Sequence, residues 1–343
     1  MVSLTSFPVR AASSMMVLIA GASMFVSCGE ESYPTSPSST EPEVIRRVVL
    51  LNEDLSMRQV FPEDNWWNQD IRDAPVDPDS ASYIDWVGRE TSLHPDFGPA
   101  PFGIPYVTVS GQQPKVPVRF VFFPEESDEG APGETSGYPI PEEARLQPGY
   151  IEGAVPGGGS EGDRHLVLID RDAWVLYETF ATQWNEKDAV WQAGSGAIFE
   201  LDENHRRPER WTSADAAGLA IFPGLVRFDE VSGPDEIRHA FRVTLRATDG
   251  YVWPASHDAG NSRGALPLGA RLRLKASVDF SDQPESAQKI FRAMQHYGLI
   301  VADNGSDMFV TGTMDRRWDN DVLNPAFRTL SAGDFEVVEL GWR

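Results

Sequence analysis

The chain has 343 residues, 41% hydrophobic and 10% aromatic, enough apolar surface for one large core or two ordinary ones, so wholesale disorder is excluded. Its 52 acidic residues against 29 basic ones give a formal charge of -23. That balance repels phosphate backbones and sets nucleic acid aside as a partner, while suiting solubility, cation attraction, or a neutral or cationic ligand.

Arg10 precedes an apolar run from Met15 to Phe25, too short to span a bilayer as a mature helix and matched to the core of a secretory signal. Phe25-Val26-Ser27-Cys28 follows, and Cys28 is the only cysteine. This segment resembles a bacterial lipoprotein signal. The resemblance implies cleavage before Cys28, lipidation of its thiol, and an address in the cell envelope as an outer-membrane or cell-surface lipoprotein, held to the membrane by that lipid. An ordinary signal peptide, cleaved near small residues, is the alternative. Residues 1–27 are therefore expected to be a signal peptide. Residues 28–43, rich in Ser, Pro, Thr and Glu without apolar periodicity, are expected to be a tether. With Cys28 consumed, no disulfide and no thiol nucleophile remain.

From residue 44 to 343 the pattern predicts one mainly β domain, an antiparallel sandwich or jelly-roll-like fold with a few short helices. Strands are expected at Ile45 to Leu51, Pro105 to Val109, Val116 to Phe123, His165 to Asp170, Val175 to Phe180, Ile221 to Val226, Ala240 to Leu245, Leu272 to Ser277 and Phe335 to Leu340. Alternation such as Phe241, Val243 and Leu245 against Arg242, Thr244 and Arg246 implies half-buried antiparallel sheets. Short helices are expected over Ser80 to Val87 and Ser213 to Gly218. The clearest local signal is at about 284–297: Ala287, Ile290, Phe291, Met294 and Tyr297 recur at helical spacing between Pro284 and Gly298. After it, Leu299 to Ala302, the Asn304-Gly305 turn and Met308 to Thr311 read as a β-hairpin with acids at its tip. Glu125 to Glu134 and Pro148 to Gly162 read as surface loops.

Three groups of residues carry candidate chemistry. Gly162-Asp163-Arg164-His165 leads into one strand and Glu178 lies on the next, sharing a face with apolar Leu176 and Phe180. A tight turn near Asp172 would place acid, imidazole and acid along adjacent strands, which suits general acid/base work; an Arg164–Glu178 ion pair is the structural alternative. Tyr251-Val252-Trp253-Pro254-Ala255-Ser256-His257-Asp258 puts aromatics before a histidine at a strand end. Asn65-Trp66-Trp67-Asn68 and Leu93-His94-Pro95-Asp96 set aromatics beside amides, an acid and an imidazole. Flat rings next to carboxylates and amides suit sugar binding, although most of the ten tryptophans serve equally well as core. Walker, dinucleotide, HExxH and CxxC patterns are absent, as is the spacing of a nucleophile elbow around Ser195. No metal site is expected. Calcium alone stays open, through the oxygen-rich Asp303-Asn304-Gly305-Ser306-Asp307 segment, which lacks a full twelve-residue loop.

The strings GDRH at 162–165, WTSADAAG at 211–218, PGLVRFDE at 223–230 and YGLIVADNGSD at 297–307 resemble a secreted bacterial family of unassigned function. That resemblance covers most of Asn65 to Leu340 and implies a single domain, with no catalytic residues to transfer. The residues themselves point to a carbohydrate-active, glycoside hydrolase-like protein with a polysaccharide or glycan as partner. Asp163, Glu178 and Asp303 would be its carboxylates and His165 and His257 would assist. Trp66, Trp67, Trp253, His94 and Asp96 would bind substrate. A non-catalytic surface lipoprotein that binds glycan or protein is the alternative.

Overall fold

A computed structural model describes residues 48–128 and 137–343, all within one compact unit, Ile45–Arg343. The expected signal segment, Cys28 and the tether lie outside the described residues, as does part of the Glu125 to Glu134 loop. In chain order the strands are β1 (Val49–Leu51), β2 (His94–Gly98), β3 (Tyr106–Val109), β4 (Val118–Phe120), β5 (Leu166–Asp170), β6 (Val175–Phe180), β7 (Gln183–Asn185), β8 (Val190–Ala193), β9 (Ser195–Glu200), β10 (Phe241–Leu245), β11 (Arg271–Leu274), β12 (Leu299–Asn304), β13 (Phe309–Met314) and β14 (Phe335–Val337). The helices are α1 (Ser80–Val87), α2 (Glu142–Leu146), α3 (Phe228–Ser232), α4 (Glu285–His296) and α5 (Asn320–Phe327).

The protein is mainly β and sandwich-like, as its alternation predicts. Three sheets run β1-β3-β5-β6-β9, β14-β11-β12-β10-β13-β2 and β4-β8-β7. They are mixed: β3–β5, β4–β8, β10–β12 and β13–β2 pair in parallel. The period of two explains the layering. On β5, Val167 and Ile169 enter the large core shared with the second sheet, whereas Leu166 and Leu168 enter a second core with Phe120, Tyr138 and Trp191. The first sheet is thus buried on both faces, which is why Leu166-Val167-Leu168-Ile169 reads as an unbroken apolar run.

Helix α4 forms where its spacing predicts. Gly298 follows it at φ 78°, a left-handed turn that suits glycine, and a Cβ there would come within 2.6 Å of the Leu272 carbonyl. Ala287, Ile290, Phe291 and Met294 are buried, and the Lys289 ammonium donates to the carbonyls of Glu230 and Gly233 at 2.6 and 2.9 Å, satisfying backbone acceptors around the end of α3.

Three local expectations are corrected. The stretch after α4 is not a hairpin: β10 inserts between β12 and β13, parallel to the first and antiparallel to the second. The alternating Phe241, Val243 and Leu245 fill that central position and all three are fully buried, a non-local pairing that outweighs the Asn-Gly turn signal. Ser213 to Gly218 is a run of turns, because its Ser213 and Asp215 side chains bond nearby backbone and Arg242 rather than continuing a helix. Ile221 to Val226 is likewise no strand; Pro223 sits in a single 3₁₀ turn, Phe222–Gly224.

Phe291 is fully buried with its ring 5.6 Å from Phe280 and 5.3 Å from Phe327. Truncation in Phe291→Ala should remove about 3–5 kcal/mol of stability in urea unfolding; a loss below ~1 kcal/mol would contradict close packing of α4 on the sheet.

Candidate active site

The segment from Thr212 to Phe222 is held between the two large sheets, and both sides hold it with buried charge. From the first sheet, Glu178 on β6 points into the main core beside Leu176 and is fully buried. One carboxylate oxygen accepts from the amides of Ile221 and Phe222 at 3.0 and 2.8 Å, and the other accepts from Ile221 at 2.9 Å. Burial pushes Glu178 up to about 7 and the Asp215 charge adds to this, while the two amides and His165 pull the other way. From the second sheet, Arg242 on β10 grips Asp215 through Nε and Nη2 at 3.1 and 2.8 Å. Its Nη2 also donates to Asp303 at 3.0 Å and its Nη1 to Thr311 Oγ1 at 2.8 Å. Burial opposes the charge on Arg242, but Asp215 and Asp303 hold the guanidinium firmly protonated.

Asp303 reaches Arg242 because β12 carries an extra residue. Val243 pairs with Val301 but Thr244 pairs with Asp303, leaving Ala302 outside the register. Without that bulge, pleat parity would place Asp303 on the face away from Arg242 and Thr244. The Ala302 carbonyl is used nonetheless, accepting from the Ala217 amide at 2.9 Å. Burial, reinforced by Asp215, raises Asp303 to about 6 against the opposing charges of Arg242 and His165.

His165, 2% exposed, sits at the mouth of β5 with an acceptor at each ring nitrogen. Nδ1 faces Glu152 Oε2 at 2.7 Å and Nε2 faces the Ala214 carbonyl at 3.2 Å. Two acceptors favour the imidazolium. Burial works against it, yet the Glu152 charge and hydrogen bond prevail and raise His165 to about 9. The same pair keeps Glu152 below its ordinary value despite burial. Asp96, on β2 opposite Thr311, is raised by burial and by the nearby Glu152 charge, and it also senses Arg242 and Asp163.

Asp163, His165, Glu178 and Asp303 thus occupy one electrostatic neighbourhood, and Asp96 joins them. His257 lies beside it, its Nδ1 2.8 Å from the Ala216 carbonyl and its ring 6.2 Å from Phe123. Glu178 is not available to a substrate: it is sealed and holds backbone, and Arg164 donates to the Gly162 carbonyl rather than to Glu178. The tryptophans do not form a stacking floor. Trp67 is fully buried against Gly224, and Trp66, 7% exposed, packs edge-on to Trp253 at 6.1 Å. His94 stacks on Phe309 at 4.2 Å. The exposed rings next to the site are phenylalanines instead. Phe122 and Phe123 stand out from the surface, Phe122 lies 6.4 Å from Phe180, and Phe180 lies 5.8 Å from His165.

Glu152, Asp215, Arg242 and Thr311 were missed by sequence reasoning. Asp215 lies inside an expected helix and Arg242 on the polar side of an expected two-faced strand, while Phe122 and Phe123 close the expected Val116 to Phe123 strand. Glu152, Asp163 and His165 bring ligand-type atoms within 4.8 Å of one another. His165 would have to give up a proton it holds between two acceptors before it could ligate a metal. In the acidic turn weighed for calcium, Asp303 is engaged by Arg242 and Asp307 by Arg246 at 2.6 Å. Two clefts, of about 350 Å³ around Arg227, Glu230 and His239 and about 560 Å³ around Asn52, Asp315 and Arg317, share no lining residue with this cluster. No family model, curated protein or solved structure matches the chain.

The pH dependence of folding follows from His165. Its folded value lies above the ordinary 6.5, so its stabilisation is complete below about 6.5 and is lost as pH rises through about 9. Urea unfolding of the wild type should show a loss of roughly 3 kcal/mol between about pH 7 and 9.5, and His165→Gln should flatten that slope. An unchanged slope in the variant would refute the pairing.

Proposed function

We propose that this is a lipid-anchored protein of the cell envelope that hydrolyses glycosidic bonds by two-carboxylate acid/base chemistry. The observation that carries the reading is the pair Asp303 and Glu152. Both are partly exposed at 24% and 25% of the side chain, both lie within the field of Arg242 and His165, and they are pushed in opposite directions. Asp303 keeps a proton up to about 6, while Glu152 is held ionised by the imidazolium of His165. Carboxylates with separated proton affinities are what glycoside cleavage uses: one protonates the leaving oxygen, the other activates water or attacks the sugar.

In this reading Asp303 is the acid and Glu152 the base or nucleophile. Arg242 and His165 orient them, Asp96 and Asp163 bind hydroxyl groups, and Phe122 and Phe123 offer faces to the C–H side of a pyranose. Glu178 moves from catalysis to support. The acidic surface favours neutral or cationic glycans over anionic ones. The address rests on the Cys28 signal and the Ser/Pro-rich tether read from the sequence.

Purified protein should release reducing ends from at least one member of a polysaccharide panel. Asp303→Asn and Glu152→Gln should each lose about 10²–10⁴-fold in kcat with the fold intact, and kcat should fall as pH rises through about 6, where the acid loses its proton. Binding without turnover, or full turnover in Asp303→Asn, would overturn the assignment.

A further inference from the structure

Five arginines are buried among the described residues, and four of them meet a carboxylate: Arg207 meets Asp128, Arg227 meets Glu230, Arg242 meets Asp215 and Arg273 meets Glu336. Arg271 is the exception. It lies on β11 opposite Ile300, is 4% exposed, and makes a single side-chain hydrogen bond, from Nη2 to the Trp66 carbonyl at 2.7 Å. Its Nε and Nη1 are buried with no partner, as is Nε1 of Trp66. Two residues along the same strand, Arg273 shows what a completed site looks like: it donates to Glu336 and to the carbonyls of Ile71, Arg72 and Ala74. Desolvation alone drags Arg271 down to about 10, with no anion to offset it.

The surroundings of Arg271 offer donors and cations. Its guanidinium lies 5.9 Å from the Trp253 ring, and that ring carries a second guanidinium, Arg343, at 5.3 Å. Trp66 closes one side, edge-on to Trp253. Trp253 is partly exposed and Arg343 is exposed, so the indole face of the group borders solvent. In a chain of net charge -23, two guanidiniums approach one indole and the buried one has no side-chain carboxylate of its own; unmatched buried donors call for an acceptor.

We propose that Arg271, walled by Trp66 and Trp253 and joined from outside by Arg343, is a binding site for a small oxyanion of carboxylate or phosphate type. Arg271 supplies free N–H donors, Trp66 Nε1 is a further unused donor in the same wall, and the indoles exclude water from the contact. The site is separate from the Asp303–Glu152 cluster and does not depend on its chemistry.

The test uses the whole protein, with inorganic phosphate and acetate titrated against chloride at constant ionic strength. Melting temperature and tryptophan fluorescence are the readouts. Phosphate or acetate should give a saturating rise of about 2–4 °C and a saturating fluorescence change, with chloride giving neither. Response to phosphate alone or to acetate alone would name the anion class. Arg271→Met should lose both responses and, in chloride, melt no lower than the wild type, because it removes a desolvated cation that lacks a partner. Arg271→Lys, which keeps the charge without the planar fork, should need at least tenfold more anion. No saturable response in the wild type, an equal response to chloride, or an unshifted midpoint in Arg271→Lys would each overturn the proposal.

Discussion

Everything at the candidate site depends on two buried charges holding one loop. Glu178 fastens the amides of Ile221 and Phe222 to the first sheet, and Arg242 fastens Asp215 to the second. Neither clamp adds much net stability, since desolvating such groups cancels most of what their pairing returns. What they impose is geometry. Loss of either partner would strand an uncompensated charge or a pair of orphan amides in the core, so the loop has one permitted position. The Ala214 carbonyl that faces His165 and the Ala216 carbonyl that faces His257 belong to that loop, and the placement of both imidazoles follows from it.

A single guanidinium organises the proton affinities. Arg242 contacts Asp215 and Asp303 directly and acts on Glu152 and Asp96 through space. Burial alone would raise Asp96, Glu152 and Asp303 together. The differences among them arise from which has a cation of its own: Glu152 has His165, whereas Asp303 shares Arg242 with the deeper Asp215. Charges that look interchangeable in composition are thereby sorted by partner.

How much of this was legible in the sequence varies with range. The β5–β6 hairpin and α4 were readable because periodicity and terminal residues encode them locally; even the pairing that sets Glu178 opposite Val167 follows from a short turn. The β12–β13 segment is not a hairpin because its partner, β10, pairs with it from 58 residues or more earlier in the chain, and no local pattern reports an inserted strand. Trp66 and Trp67 look like a surface pair beside asparagines, yet Asn65 and Asn68 turn their side chains to backbone and leave the rings to the core. Glu152 is hidden in a glycine-rich loop with no periodicity to mark it, and its partner is a histidine 13 positions on.

The unpaired alanine in β12 decides which side of the sheet an acid occupies. Because side chains in a strand alternate, the orientation of Asp303 is a matter of counting and not of chemistry. The strand from Leu299 to Val301 obeys the hydrophobic core, the residues after Ala302 obey Arg242, and the irregularity lets both demands be met by one segment. The same chain paired in regular register, with Ala302 opposite Thr244, would keep its composition and most of its pairing while turning the Asp303 carboxylate away from Arg242. The facing of this carboxylate is therefore written in the register of a strand as much as in the identity of its side chains.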